Sequence, residues 1–247
     1  LAHGLAGHGV ATLRYDKRTH VYAAKLAAKE TAPMTIEAEV IDDALATIAK
    51  GRTMKGINPK RVFVLGHSLG GSTAPEIARR DGKLAGLIIF AGLDRPPDVT
   101  VLSQLAYIAE NDPAQSDGVR KMLKELEPAF KRVRSGEAKD SELVMGAPVG
   151  YWRSWMAVTP AKTAAGLKGV PMLVLQGGRD YQVTEADFQA FHKALDGRKD
   201  VVFHFYPDMN HFFQRGEGKI VPAEYLKPGF VDQGVIADIA RWIEKGE

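Results

Sequence analysis

Short, strongly apolar runs alternate with helical patterns along most of the 247-residue chain. The runs that predict buried strands are residues 61–65, 84–92, 171–178 and 201–207. The amphipathic patterns that predict helices are residues 35–51, 72–82, 184–197 and 230–246. Such alternation is typical of parallel strands joined by helical crossovers. The sequence therefore predicts an α/β fold, with a mostly parallel central sheet flanked by helices.

The interval 94–160 breaks this alternation. It carries two helical patterns, at 101–110 and 118–138, and has prolines at its margins. We interpret it as a helical insertion into a core formed by residues 1–93 and 161–247. Near the start of the chain, the run VATLRY at 10–15 predicts one more strand, because it is short, apolar and β-branched at its first residue.

Composition argues against several classes of function. The net charge is only +3 and no dense basic block occurs, since residues 131–134 read as a solvated helix face, so nucleic-acid binding is not favoured. Without cysteine there is no disulfide, no thiolate and no cysteine-based zinc site. No apolar run approaches the roughly 18 residues of a membrane span. The compartment stays open, because a chain that starts at Leu1 is compatible with a removed leader.

The segment 61–80, RVFVLGHSLGGSTAPEIARR, carries a serine between two glycines where a strand becomes a helix. A serine on so tight a turn presents its hydroxyl at the strand end, and Gly66 and Gly70 are expected to leave the space that the turn needs. The helix that follows directs N–H groups at developing negative charge. We therefore expect Ser68 to be a nucleophile, the Leu69 N–H to bind an oxyanion and His67 to shape the turn.

A serine nucleophile needs a base, and the base needs an acid that orients it. Asp180 follows the strand at 171–178, and His211 follows the strand at 201–207. All three candidates thus come after strand carboxyl ends, the edge where open parallel sheets place their sites. Their order along the chain is Ser, Asp, His.

Each role has rivals. Asp94 follows the strand at 84–92 and could serve as the acid, whereas Asp208 is more simply a turn residue. His204 alternates with phenylalanines inside a strand, so its side chain is expected to face outward. The remaining histidines read as surface or loop residues: His3, His8, His20 and His192. No His-Glu-x-x-His motif or close cluster of ligands suggests a metal, and the chemistry requires no cofactor.

These motifs together resemble an α/β-hydrolase of the bacterial esterase and serine-aminopeptidase-like branch. The resemblance rests on GHSLGG at 66–71, GGRDYQV at 177–183, NHFF at 210–213 and GLAGHGVATLRYDKRTHVY at 4–22. It implies Ser68 as nucleophile, His211 as base, Asp180 as its orienting acid and Leu69 as one oxyanion donor. It also implies that the insertion at 94–160 is a cap over the acyl pocket.

The chain departs from the family pattern at its beginning. Family members have earlier strands, one of which lies between the strands matching 10–15 and 61–65. Three resolutions stay open: 10–15 pairs directly with 61–65, a second copy of the chain supplies the strand by exchange, or upstream residues lie outside this sequence. In each case the second oxyanion donor is unassigned, and one such donor is worth about 10²–10³ in rate.

The sequence as a whole predicts a serine hydrolase that cleaves carboxylic esters of small to medium acyl chains through an acyl-enzyme. A thioesterase, a small-amide hydrolase, and a weakly active or inactive fold used for binding or assembly remain alternatives. The insertion and the residues after it carry apolar side chains that could line an acyl pocket or simply pack the insertion: Leu102, Leu105, Tyr107, Ile108, Met122, Tyr151, Trp152, Trp155 and Met156.

Overall fold

The computed structural model describes residues 1–22 and 34–245, and the chain divides into two compact units. The first unit comprises residues 1–14, 45–94 and 159–247, and the second comprises 15–44 and 95–158. The second unit thus combines residues 95–158, which lie within the interval 94–160, with residues 15–44 from the range 1–93.

The described residues form these strands: β1 (Phe63–His67), β2 (Gly86–Phe90), β3 (Leu143–Val144), β4 (Ala147–Pro148), β5 (Met172–Gly177) and β6 (Val201–Tyr206). The first unit is built on a parallel sheet with the strand order β1-β2-β5-β6. A small antiparallel pair, β3 and β4, belongs to the second unit. The predicted mostly parallel sheet is therefore confirmed.

Helices occupy the connections, as the alternation predicted. They are α1 (Ala2–Gly7), α2 (Arg18–Val21), a π-helical turn (Glu37–Ile41), α3 (Asp42–Arg52), α4 (Leu69–Asp81), α5 (Pro97–Asn111), α6 (Ser116–Ser135), α7 (Val149–Met156), α8 (Pro160–Gly166), α9 (Glu185–Ala194), a 3₁₀ turn (Pro222–Leu226) and α10 (Gln233–Lys245). Residue 246, the predicted end of the last helix, lies outside the described ranges. Across residues 1–22 and 34–245, no helix has both the length and the apolar character needed to cross a bilayer.

The two central strands form the core of the first unit. Every residue of β2 and of β5 is buried, which is the usual state of parallel strands covered on both faces. β1 is less buried, because β2 is its only neighbour among the strands of the described residues. Trp242 of α10 packs edge-on against Phe63, with ring centroids 5.8 Å apart, and covers that end of the sheet.

The predicted strand at 10–15 is wrong. These residues are irregular, and residues 11–15 are exposed, including Leu13 at 47% and Tyr15 at 41%. The N–H of Val10 bonds back to the carbonyl of Leu5 and not to a neighbouring strand. β-propensity largely reflects packing on a pleated surface, and in the described part of the chain no strand lies beside these residues. Direct pairing of 10–15 with 61–65 is therefore excluded as a resolution.

Two further boundaries differ from the predictions. The helix expected at 72–82 begins at Leu69, so Pro75 lies in its second turn and not its first. Pro75 has no backbone N–H, so the helix lacks one hydrogen bond at this position. The burial of the neighbouring side chains compensates for that loss. The helix expected at 35–51 begins with the π-helical turn Glu37–Ile41. The backbone hydrogen bonds of a π-helix join residues five apart, and the spacing of the apolar residues in the sequence does not show this change.

The second unit has its own apolar core. Phe130 and Trp152 meet edge to face with centroids 4.9 Å apart, and the indole N–H of Trp152 donates to the carbonyl of Val144. Trp152 is 5% exposed, so it is a packing residue of this unit. The partly buried side chains that pack against the same cluster include Leu102, Leu105, Tyr151, Trp155 and Met156.

Candidate active site

Ser68 occupies the turn between β1 and α4. Its backbone has φ 56° and ψ −118°, a left-handed conformation that costs a non-glycine residue free energy. The Ser68 N–H donates to the carbonyl of Phe90 at the end of β2, at 3.0 Å, which ties the turn to the sheet. The strained strand-to-helix turn predicted from the sequence is thus present. Leu69 begins the helix. Its N–H is one of the first four N–H groups of the helix, which have no hydrogen-bond acceptor within the helix.

Of the two glycines expected to leave space around Ser68, only Gly66 does so. A Cβ on Gly66 would collide with the carbonyl of Gly70 and lie 2.8 Å from the N of Gly71. A Cβ on Gly71 would lie 2.6 Å from the Cα of Gly92, yet one on Gly70 would meet nothing within 4 Å. The expectation for Gly70 is therefore wrong. Gly66 lets the helix start fold back over β1, and Gly71 lets the helix approach the loop after β2.

This difference predicts opposite outcomes for two neighbouring substitutions. Gly66→Ala should lower the free energy of unfolding by about 3 kcal/mol or more, because the colliding atoms belong to the backbone and cannot rotate away. Gly70→Ala should leave stability unchanged or raise it by up to about 1 kcal/mol, since alanine favours a helix. Thermal or denaturant unfolding of both variants measures the effect. Equal losses in the two variants would contradict the steric account.

Asp180 and His211 are in direct contact. The Nδ1–H of His211 donates to Asp180 Oδ2 at 2.6 Å, and both side chains are almost fully buried. With Nδ1 carrying a proton, the Nε2 atom of a neutral imidazole is an acceptor. The imidazole lies beside the ring of His67, at 4.5 Å between centroids, and His67 directly precedes Ser68. The Nε2 atom of His211 is therefore the ring nitrogen that is free of a proton.

The carboxylate of Asp180 is buried but well supplied with donors. Its Oδ1 accepts the backbone N–H groups of Gln182 and Val183 at 2.8 and 2.9 Å. Its Oδ2 accepts a hydrogen bond from the Gln176 amide at 3.3 Å, in addition to the one from His211. A buried charge is tolerated when such donors replace water. The carboxylate of Asp180 is therefore fixed in one orientation toward the imidazole of His211.

Close packing joins the loops that carry Asp180 and His211. A Cβ on Gly177 would lie 2.5 Å from the carbonyl oxygen of Met209, so only glycine fits at the end of β5. Beyond His211, Phe213 is fully buried with φ 55°, and its ring stacks on Phe90 at 3.8 Å. The strained backbone at Phe213 is held by this packing. The loop that carries His211 is thus anchored to the end of β2.

His67 supports the base loop directly. Its Nε2 lies 2.9 Å from the carbonyl oxygen of His211, an atom that can only accept, so the Nε2 of His67 carries the proton. Burial, and next the neighbouring charge of His211, lower the pKa of His67 from 6.5 to about 4. Asp180 acts in the opposite direction. His67 is consequently neutral at pH 7, and its hydrogen bond ties the residue before Ser68 to the loop that carries His211.

The depressed pKa of His67 predicts a pH dependence of stability. Between pH 6.5 and about 4, the unfolded chain binds a proton at this residue and the native protein does not, so stability falls as the pH falls. His67→Phe keeps a ring in place and removes the titration. From pH 7 to pH 4, the wild-type protein should lose up to about 3 kcal/mol more unfolding free energy than the variant. Parallel curves in urea titrations would contradict this.

The rival residues have other contacts. The carboxylate of Asp94 accepts the N–H of Ala161 at 2.8 Å in the first turn of α8, and Asp208 forms an ion pair with Arg215. His204 is half-buried beside Asp238, and its Nδ1 lies 3.3 Å from the hydroxyl of Tyr206. The histidines expected at the surface are exposed: His3, His8, His20 and His192. Within residues 1–22 and 34–245, no group of three or more His, Asp or Glu side chains could hold a metal ion.

The sequence did not predict the polar residues that hold Asp180 and the loop of His211. Gln176 is 1% exposed and its amide reaches Asp180, Gly177 and Val183. Asn210 is fully buried, and its Oδ1 accepts the N–H groups of Phe212 and Gln214. A glutamine at the end of the apolar run MLVLQ was the one available signal. The role of Asn210 depends on the path of its own loop, which no pattern in the sequence predicted.

Comparison with known proteins identifies the family. The family model described as "Serine aminopeptidase, S33" (Hydrolase_4) matches residues 1–216, most of the chain. The chain belongs to this family. Esterase EstD of Thermotoga maritima is 39% identical over 245 residues, which is 99% of this chain and 56% of that protein. This family member therefore spans about half the length of the curated relative that it matches.

Solved structures with the same fold are more distant. A protein from Agrobacterium vitis S4 described as a hydrolase is 18% identical with a TM-score of 0.50, and the match covers 85% of this chain and 69% of that one. BpoC of Mycobacterium tuberculosis H37Rv, described as a non-heme bromoperoxidase, is 14% identical with a TM-score of 0.50 and coverage of 89% and 78%. At these identities the likeness concerns the fold alone, which is the predicted α/β-hydrolase fold.

Proposed function

We propose that this protein is a serine hydrolase that cleaves carboxylic esters of small to medium acyl chains. The observation that carries the proposal is the 2.6 Å bond between His211 Nδ1–H and Asp180, with the imidazole packed beside the strained turn that presents Ser68. An imidazole held in this tautomer can take a proton at Nε2. The 39% identity to a protein named an esterase supports ester cleavage over other acyl transfers.

In the proposed reaction, Ser68 Oγ attacks the ester carbonyl while His211 Nε2 removes its proton. The Leu69 N–H, at the start of α4, stabilises the oxyanion with the positive end of that helix. His211 then returns the proton to the departing alcohol, which leaves an acyl-enzyme on Ser68. Water, deprotonated by the same imidazole, releases the acid and regenerates the serine. Asp180 stabilises the imidazolium throughout, and no cofactor takes part.

A substrate panel tests this proposal. The panel contains chromogenic esters of increasing acyl length, a matching thioester and an amino-acid anilide. All three kinds of substrate undergo acyl transfer, and they differ in the leaving group. We expect turnover of the short and medium esters above that of the thioester and the anilide. Faster cleavage of the anilide would instead favour the aminopeptidase activity after which the family is described. Turnover of none of these substrates would contradict the proposal.

A further inference from the structure

One carboxylate binds the residues immediately before both Asp180 and His211. Arg179 precedes the acid and donates to Glu224 twice, from Nη1 to Oε1 at 3.0 Å and from Nη2 to Oε2 at 2.7 Å. Asn210 precedes the base and donates from Nδ2 to the same Oε1 at 3.2 Å. Glu224 therefore connects the loop that carries Asp180 with the loop that carries His211. These two residues are 31 positions apart in the sequence.

The connection is buried and leaves little freedom. The side chain of Arg179 is 7% exposed, and its remaining donors reach the carbonyls of Gly218 and Glu217 at 2.9 and 3.0 Å. Gly216 packs so closely that any Cβ there would collide with the guanidinium. A two-pronged bond between guanidinium and carboxylate fixes geometry as well as distance. An arginine held in this way cannot move without moving its loop.

Glu224 lies on the 3₁₀ turn Pro222–Leu226, and the next residue contacts the base loop as well. The ring of Tyr225 meets Phe212 edge to face, with centroids 4.8 Å apart, and Phe212 directly follows His211. The bond from Arg179 lowers the pKa of Glu224, so its carboxylate is charged at neutral pH. The turn thus touches the residue on each side of the base.

We propose that Glu224 is a positioning residue for the Asp180–His211 pair. By binding Arg179 and Asn210 at once, its carboxylate sets the spacing of the acid loop and the base loop on which the 2.6 Å bond depends. The proposal rests on the proposed hydrolase function for its effect on catalysis, but its effect on the acid–base pair is independent of that function. A displacement of about 1 Å in such a site can cost about 10²-fold in rate.

The test compares two ion pairs of the same kind. Glu224→Gln removes the charge of the carboxylate that binds Arg179, and Asp81→Asn removes the charge of the one that binds Arg52 at 2.5 and 2.6 Å. Both pairs are bidentate and largely buried, but Arg52 and Asp81 neither contact nor adjoin the acid and base loops. Three quantities are measured for each variant: the downfield proton NMR signal of His211 Nδ1–H, kcat and KM on a short-chain ester, and the melting temperature.

We expect Glu224→Gln to shift or broaden the His211 signal and to lower kcat by about 10–100-fold with little change in KM. Asp81→Asn should lower the melting temperature and leave the signal and kcat unchanged. If Glu224→Gln does not fold, Arg179→Lys, which keeps the charge and loses the two-pronged geometry, replaces it. An unchanged signal and kcat in a variant that only melts earlier would overturn the proposal.

The NMR arm separates this proposal from the proposed function. The downfield signal of His211 Nδ1–H is assigned by its loss in Asp180→Asn. It reports on the hydrogen bond between Asp180 and His211 and does not require turnover of a substrate. Should the wild-type protein cleave no ester while Glu224→Gln still shifts the signal, the hydrolase proposal fails and the positioning role of Glu224 stands. Should the ester be cleaved and the signal be indifferent to Glu224→Gln and Arg179→Lys, the positioning role fails alone.

Discussion

Ser68→Ala should lower kcat for ester hydrolysis by about 10⁶-fold, because it removes the only atom that forms the acyl bond in the proposed reaction. Alanine keeps the backbone turn as it is, since the left-handed φ of 56° costs both residues about the same. The loss should therefore appear without a loss of fold. Steady-state kinetics on a chromogenic ester, with circular dichroism of the same samples, measures both.

Ser72 provides the matched control for this substitution. It is a buried serine in the first turn of α4, the helix that follows Ser68, and its hydroxyl donates to the carbonyl of Leu69 at 2.8 Å. Ser72→Ala likewise removes one hydroxyl and should change kcat by less than about tenfold, since one neutral hydrogen bond is worth about 1 kcal/mol. If Ser68→Ala kept activity within tenfold of the wild type, Ser68 would have no part in the mechanism.

Asp180→Asn should lower kcat by about 10⁴-fold for a reason that the hydrogen bonds make specific. The backbone N–H groups of Gln182 and Val183 will hold the amide oxygen where Oδ1 is now. The amide NH₂ must then face His211 Nδ1, where it donates and does not accept. The imidazole is forced into the tautomer with its proton on Nε2, which cannot take a proton from Ser68.

Asp187→Asn is the control for the loss of a buried carboxylate. Asp187 is fully buried, accepts the N–H groups of Thr184 and Asp94 at 3.0 Å, and belongs to the same unit without touching His211. Its amide variant should lower stability and leave kcat near the wild-type value. Comparable losses of kcat in the two variants, with normal His211 Nδ1–H signals in both, would rule out the tautomer argument.

The sequence predicted the parts of this fold that local pattern determines. Strands β2 and β5 are buried on both faces, so their residues form unbroken apolar runs that are visible in the sequence. The strained turn at Ser68 follows from its motif, and the positions of Asp180 and His211 after two further strands follow from chain order. These features depend on neighbours within a few residues or on a general property of parallel sheets.

Features that depend on distant neighbours were not predictable. The run at 10–15 has the composition of a strand but pairs with none in the described residues. Position 71 requires glycine because Gly92, 21 positions further along the chain, lies against it. Position 70, which is closer to Ser68 in the sequence, has space for a side chain. Glu224 binds Arg179 across 45 residues of sequence. Steric and polar demands of this kind arise only when the loops are brought together.

Covalent labelling tests the proposal that Ser68 is a nucleophile activated by His211. A fluorophosphonate probe reacts with an activated serine, and intact-mass and peptide analysis locates the adduct. We predict one adduct per chain, on Ser68, that is absent in Ser68→Ala and forms far more slowly in His211→Gln. No adduct on the folded wild-type protein, or an adduct on a different residue, would contradict the claim.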